Sequence, residues 1–378
     1  MIRILLATFL LLLLASTTSG EEHPFTVDSV ARFDEPWALA FLPDGRMLVT
    51  EKKGNLRIVT RDGDVSSPVG GVPDVAYGGQ GGLGDVALHP EFADNGLVYL
   101  SYAEAGVGDT RGAAVARGRL VEEDRGGASL ERVEVIWRQY PKTLGHGHYG
   151  HRLLFGDDGH LWITSGDRQK FTPAQDMQSS LGKILRLQDD GTAAQDNPFV
   201  NYREENPLVD DGGVYDQFWS LGHRNPLGIA TDAEGRLWAI EMGPAGGDEL
   251  NRIERGANYG YPLVSNGDHY DGREIPDHDT RPEFPAPAVT WTPVISPGDL
   301  IVVRGDRFSG WRGDALAAGL SSQSIVRIEL EEDGAREVER YHMGQRIRAL
   351  AEGPDGAIWV LEDDRDDSDG ELLKLVPR

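Results

Sequence analysis

Apolar and polar residues alternate along this chain in short paired runs, with no long helical periodicity between them. "PWALAFLPDGRMLVTE" (36–51) is one alternating run, an acidic glycine turn and a second run. The arrangement returns in "GDVALHPEFADNGLVYLSY" (84–102), "HRLLFGDDGHLWITSGD" (151–167), "PLGIATDAEGRLWAIEM" (226–242) and "IRALAEGPDGAIWVLED" (347–363). Each reads as a β-hairpin whose turn is set by Asp-Gly or Glu-Gly. A sixth, degraded copy lies at "GWRGDALAAGL" (310–320). The turn glycines Gly45, Gly96, Gly159, Gly235, Gly313 and Gly356 recur 43 to 78 residues apart, a period that suits propeller blades with variable loops. No biased linker divides the chain. The expected fold is therefore all-β: one six-bladed β-propeller over residues 21–378, with about four strands to a blade. A pair of β-sandwiches would not explain six related hairpins. The terminal "GELLKLVPR" is expected to close the ring against an N-terminal strand.

The first twenty residues stand apart from this pattern. Arg3, the apolar run Ile4 to Ala15 and the small residues after it read as a cleaved export signal, too short for a comfortable membrane span. No later segment is apolar enough to span. The expected location is periplasmic or secreted. Cysteine is absent, which removes disulfides, thiol nucleophiles and thiolate metal ligands together. The formal charge of -25 argues against nucleic acid or an anionic membrane as partner, so an anionic ligand needs a local cationic pocket. A monomer or homodimer is expected.

Candidate chemistry sits at the ends of the hairpins, where loops from every blade of a propeller converge. "YGGQGGLGDVALHP" packs five glycines around Gln80, so an amide is offered from a backbone that approaches a ligand closely. "GHRNPLGIA" presents Arg224 beside Asn225, a cation and an amide suited to an anion or a carbonyl oxygen. "GPAGGDELNRIERGANYGYP" offers Asp248, Glu249, Asn251 and free carbonyls, hard oxygen ligands that suit calcium better than zinc. Arg346 and Arg348 stand two apart, on one face if the segment is a strand, and need an anion between them. "LGHGHYGHRLLF" holds His146, His148 and His151 among only 10 histidines. A metal would need all three to converge, so a single histidine acting as a base is the favoured reading.

In this order the motifs "GGQGGLGDVALHPEF", "GHYGHRLLF", "GHRNPLGIA", "GPAGGDELNRIERGANYGYP" and "RIRALAEGPDGAIWVLED" resemble the pyrroloquinoline-quinone (PQQ)-dependent soluble glucose and aldose sugar dehydrogenases. The resemblance spans Pro36 to Leu375 and implies a six-bladed propeller that oxidises aldoses at C1 to lactones, with an external electron acceptor. It places His148 as the catalytic base, and gives Arg224 a part in stabilising charge on the quinone. Gln80, Arg224, Asn225, Tyr270, Arg346 and Arg348 match cofactor contacts. Gly243 and Pro244 match carbonyls that hold calcium under the quinone. Glu249 and Tyr259, the latter through its carbonyl, match a calcium-binding pair of that family. One departure is Ser321, where the resembled family usually carries a lysine. Two rival readings share the fold: a lactonase-type metal-dependent hydrolase and a non-catalytic ligand-binding propeller.

Overall fold

The computed structural model describes residues 23–123, 126–206, 213–363 and 369–378. The expected export signal lies outside them. Six small antiparallel sheets follow one another along the chain. The first blade has three strands: β2 (Pro36–Phe41), β3 (Met47–Glu51) and β4 (Asn55–Val59). The second has β5 (Leu83–Leu88), β6 (Leu97–Ala105), β7 (Arg111–Glu122) and β8 (Ala128–Arg138). The third has β9 (Gly150–Phe155), β10 (Leu161–Ser165), β11 (Lys183–Leu187) and β12 (Phe218–Leu221). The fourth has β13 (Pro226–Thr231), β14 (Leu237–Glu241), β15 (Asp248–Ile253) and β16 (Val289–Trp291). The fifth has β17 (Pro297–Val302), β18 (Ala315–Gly319), β19 (Ser324–Leu330) and β20 (Ala335–His342). The sixth has β21 (Ile347–Glu352), β22 (Ile358–Glu362) and β23 (Asp369–Pro377), and takes β1 (Phe25–Asp34) from the other end of the chain.

The expected hairpins are the two innermost strands of each blade, and the degraded copy at 310–320 contains β18. The innermost strands β2, β5, β9, β13, β17 and β21 each touch the next around the ring, and β21 returns to β2. Closure is by strand exchange: β1 pairs antiparallel with β23 from Phe25↔Pro377 to Asp34↔Asp369, as the terminal sequence led one to expect. No helix of the described residues is long and apolar enough to cross a membrane.

The apolar core is distributed. Six buried clusters form, one between each pair of neighbouring blades, such as Leu48, Leu56, Val98 and Leu100 between the first and second. Flat sheets facing each other around a ring bury both faces, which is why the inner strands read as near-continuous apolar runs. The axis is polar instead. Each innermost pair has a register shift near the same end, at Pro36/Ala38, Leu83/Val86, Ile163/Ser165, Pro226/Gly228, Pro297/Asp299 and Ile347/Ala349. A bulge re-aims the side chains and carbonyls around it. Here the six bulges ring the mouth of the central channel.

Candidate active site

A cavity of about 740 Å³ opens at the bulged end of the channel. Its wall includes Trp37, Lys52, Gln80, His151, Tyr270, Arg346, Arg348 and Asp363. Behind the lining residue Trp37 lies Arg152, a buried arginine that reaches every blade. It lies over Trp37 with its guanidinium carbon 4.0 Å from the ring centroid. Its nitrogens bond the carbonyls of Leu227 at 2.8 Å, Gly298 at 2.5 Å and Arg348 at 3.3 Å, and lie 3.4 Å from Asp85 and 3.6 Å from Asp299.

The three histidines do not converge. His146 Nδ1 faces Arg111 Nη1 at 2.9 Å. His151 Nδ1 faces Ser101 Oγ at 2.9 Å, and its ring stacks on Trp37. Burial, with Arg152 adding to it, pushes the His151 imidazole down to about 3, so it is neutral across the working range. His148 alone has a carboxylate: Nδ1 lies 2.7 Å from Asp167 Oδ1. The ring is 5% exposed and Asp167 is fully buried. Burial lowers the His148 pKa, Asp167 opposes that shift, and Arg224 and Arg168 reinforce it. The outcome is a neutral imidazole at neutral pH, with Nδ1 committed and Nε2 left for chemistry.

Two loops build this pair. The first runs into β9 and carries His148, whose N–H donates to Gln80 Oε1 at 2.6 Å while Gln80 N–H donates to the His146 carbonyl at 2.8 Å. The second follows β10 and carries Asp167. They touch so closely that a Cβ on Gly166 would fall 2.2 Å from the His148 carbonyl oxygen. Gly84 likewise leaves room for the His151 ring, 2.0 Å from where its Cβ would be. These contacts give two of the sequence's glycines a stated steric reason.

The other predicted residues gather here in two sets. Arg224, 5% exposed, donates from Nη1 to the carbonyls of Met242 at 3.0 Å and Gly243 at 2.7 Å, and reaches Tyr270 Oη at 3.4 Å. Its Nε is buried without a hydrogen-bond partner among the described residues. Asn225 is buried and accepts the Gly150 N–H at 3.1 Å, so it braces the start of β9. Tyr270 stands at the rim and is 77% exposed. On the far wall, Arg346 and Arg348 find their anion within the protein. Asp363 Oδ2 accepts Arg348 Nε at 3.1 Å and lies 3.6 Å from Arg346 Nη2. Against the cost of burial, Arg348 and Arg346 hold the Asp363 carboxyl below the usual carboxylate range. Arg348 sits in the β21 bulge, so the two guanidiniums share this wall by virtue of the bulge as much as of strand alternation.

Sequence reasoning passed over Asp167, Asp363 and Lys52. The first ends the "ITSGD" run, and the 151–167 hairpin itself was the signal that could have set it beside the histidine loop. Lys52 is the third cation of the wall, bonded to the Gly79 carbonyl at 3.2 Å and to Glu35 Oε1 at 3.4 Å. Ser321 donates to the Val294 carbonyl at 3.2 Å and takes no part in the lining.

The oxygen-rich candidates lie behind Arg224. Glu249 is buried beside Glu241 and Asp248, and burial, then Glu241, raises its carboxyl to about 8. Asn251 Nδ2 donates to Glu249 Oε2 at 3.2 Å, yet Asn251 Oδ1 is buried with no hydrogen-bond partner among the described residues. Tyr259 stacks on His223, whose Nδ1 lies 2.9 Å from Glu241 Oε1. Clustered carboxylates with an orphaned amide oxygen fit a hard divalent cation. No three His, Cys, Asp or Glu side chains of the described residues converge as a metal site by themselves, so carbonyl and amide oxygens would have to complete it. The Gly243 carbonyl already accepts from Arg224, which leaves it one lone pair, while Pro244 accepts the Gly246 N–H at 3.1 Å.

The chain and its fold are similar to known proteins. The chain is 37% identical over 355 residues to the aldose sugar dehydrogenase YliI of Escherichia coli strain K12, covering 92% of this chain and 91% of that one. It superposes on the crystal structure of the soluble aldose sugar dehydrogenase from Escherichia coli in the apo-form with a TM-score of 0.84, at 36% identity, covering 94% of this chain and 100% of that one. Against the PQQ-bound aldose sugar dehydrogenase from Streptomyces coelicolor the TM-score is 0.73, at 28% identity and covering 93% and 98% of the two chains. The sequence profile of the Glucose / Sorbosone dehydrogenase family matches residues 33–374, and the chain belongs to that family of oxidoreductases.

Proposed function

We propose that this sugar dehydrogenase oxidises aldoses at C1 to lactones, with PQQ in the central cavity, calcium as a second cofactor and an external acceptor taking the electrons. The observation that carries the reading is the buried His148–Asp167 pair beside a cavity lined by Arg346 and Arg348. When bound, PQQ supplies the two-electron acceptor. His148 Nε2 receives the proton of the anomeric hydroxyl, and Asp167 holds the ring in the tautomer that leaves Nε2 free. Arg224, pinned by two carbonyls and dry, is preorganised to stabilise oxyanion charge. Arg346, Arg348, Gln80, Asn225 and Tyr270 would hold the cofactor, the two arginines facing its carboxylates in a protein otherwise strongly acidic. Gly243 and Pro244 would offer carbonyls to one calcium, and Glu249 with Tyr259 would hold another. The orphaned Asn251 oxygen beside Glu249 supports a cation in the latter place.

The test is reconstitution. Purified apo-protein is given PQQ and calcium, and dye reduction is followed with a panel of aldoses. Turnover that requires both additions is expected. Failure to bind PQQ sinks the proposal. His148→Ala is expected to abolish sugar oxidation while cofactor binding persists, and normal turnover would show the base to be elsewhere.

A further inference from the structure

Nine non-glycine residues of the described chain have positive φ, and five of them, His148, His151, Arg168, Gln169 and Phe171, sit on the two loops that build the base or, for His151, at the start of β9 beside them. Such backbone costs on the order of 1 kcal/mol or more per residue and persists only where the surroundings over-determine it. One side chain supplies much of that determination. Arg168, 1% exposed, follows Asp167 directly. Its Nε donates to the Gly147 carbonyl at 2.8 Å, Nη2 to the Gly145 carbonyl at 2.5 Å, and Nη1 to the Arg111 carbonyl at 2.5 Å. Its guanidinium carbon lies 3.8 Å from the Tyr149 ring centroid. The Arg168 N–H returns a bond to the His148 carbonyl at 3.1 Å. Gln80 holds the same loop from the other side, through His146 and His148.

We propose that Arg168 is a positioning residue for the base: it locks loop 145–149 in the one strained conformation that sets the His148 ring against Asp167. It does not touch the cavity; it acts through His148. The alternative, a buried arginine that merely fills space, does not account for three carbonyl acceptors, two on loop 145–149 and one at the start of β7. Lysine cannot replace it, because a single ammonium cannot span the three acceptors that the planar fork reaches.

This inference rests on His148 being the base. The charged groups that bear on His148 are Asp167, Arg224 and Arg168 itself. Arg168→Gln and Arg168→Lys are compared with the wild type as PQQ- and calcium-loaded enzyme. Both are expected to lose 10- to 100-fold in kcat, with KM and PQQ affinity within threefold of wild type. In the apo-protein, histidine ¹⁵N resonances report the His148 titration directly. Arg168→Gln removes a nearby cation and raises that midpoint; Arg168→Lys keeps it. If Arg168→Gln does not fold, Arg168→Lys, which keeps the cation and loses the three-acceptor fork, carries the test, with the same selective loss of kcat expected. Wild-type kcat in Arg168→Gln, with His148→Ala inactive, overturns the inference alone. So does a parallel loss of kcat and cofactor affinity, which marks general collapse. An active His148→Ala, or a wild type that binds no PQQ, overturns the functional reading beneath it as well.

Discussion

At the scale of residues the site is a study in which histidine keeps a carboxylate. His146 is turned to Arg111, His151 to Ser101, and only His148 has Asp167 at 2.7 Å. Asp167 also accepts the N–H groups of Gln169 at 2.9 Å and Phe171 at 3.0 Å, so its own position is fixed before it fixes the ring. Asp167→Asn is expected to lower kcat by about a hundredfold or more, since an amide can present the wrong hydrogen-bonding group to Nδ1. The sign of the pH effect also follows. Burial holds the His148 pKa below its ordinary value and Asp167 pulls it up, so losing that carboxylate lowers it further. The acid limb of kcat/KM should move to lower pH in Asp167→Asn; a shift to higher pH would refute the electrostatic part of the argument.

At the scale of elements, the chain's own ends make the sixth blade. β1 lies outermost against β23, and Phe25 is 1% exposed in an aromatic nest of Phe308, Trp311 and Tyr341. This strand is a clasp on a closed ring. Phe25→Ala is expected to cost about 3–5 kcal/mol of stability, read as a lower denaturant midpoint, while leaving the distant cavity's ligand affinity unchanged in the folded protein. The hairpins were legible because alternation and Asp-Gly turns are local signals. The bulges were not, since a register shift is visible only once partner strands are known, and it is the bulge at Arg348 that brings this arginine to Asp363.

At the scale of the whole molecule the core and the site have separate places. Apolar wedges fill the spaces between blades, while the axis is plugged by Arg152, with Asp85 and Asp299 beside it. Burial raises Asp299 to about 6, with Arg152 opposing the shift. Arg152→Met leaves two buried carboxylates without their cation and is expected to cost about 3–5 kcal/mol. In that variant both carboxyls take up protons more readily folded than unfolded, so stability should rise on acidification from pH 7 towards 5. A thermal melt series checks this: a deficit that stays constant or grows as pH falls would show that the plug is not electrostatic.

Repetition of the hairpin motif determined the propeller and its six blades, because each turn and each alternating run is encoded within some fifteen residues. The three-stranded first blade was not foreseen, since the repeat marks only the inner hairpin of each blade and not its outer strands. Gln80, Arg224, Arg346 and Arg348 were findable as unusual residue types in their loops. Which histidine has a base's surroundings was decided only by the tertiary structure. Asp167 lies 19 positions beyond His148, Gln80 lies 68 before it, and Asp363 comes from the last blade. The β9–β10 hairpin sets Asp167 beside His148, but Gln80 and Asp363 are brought to the site only by the packing of other blades. That packing buries the imidazole and lowers its pKa, so that the base is held neutral.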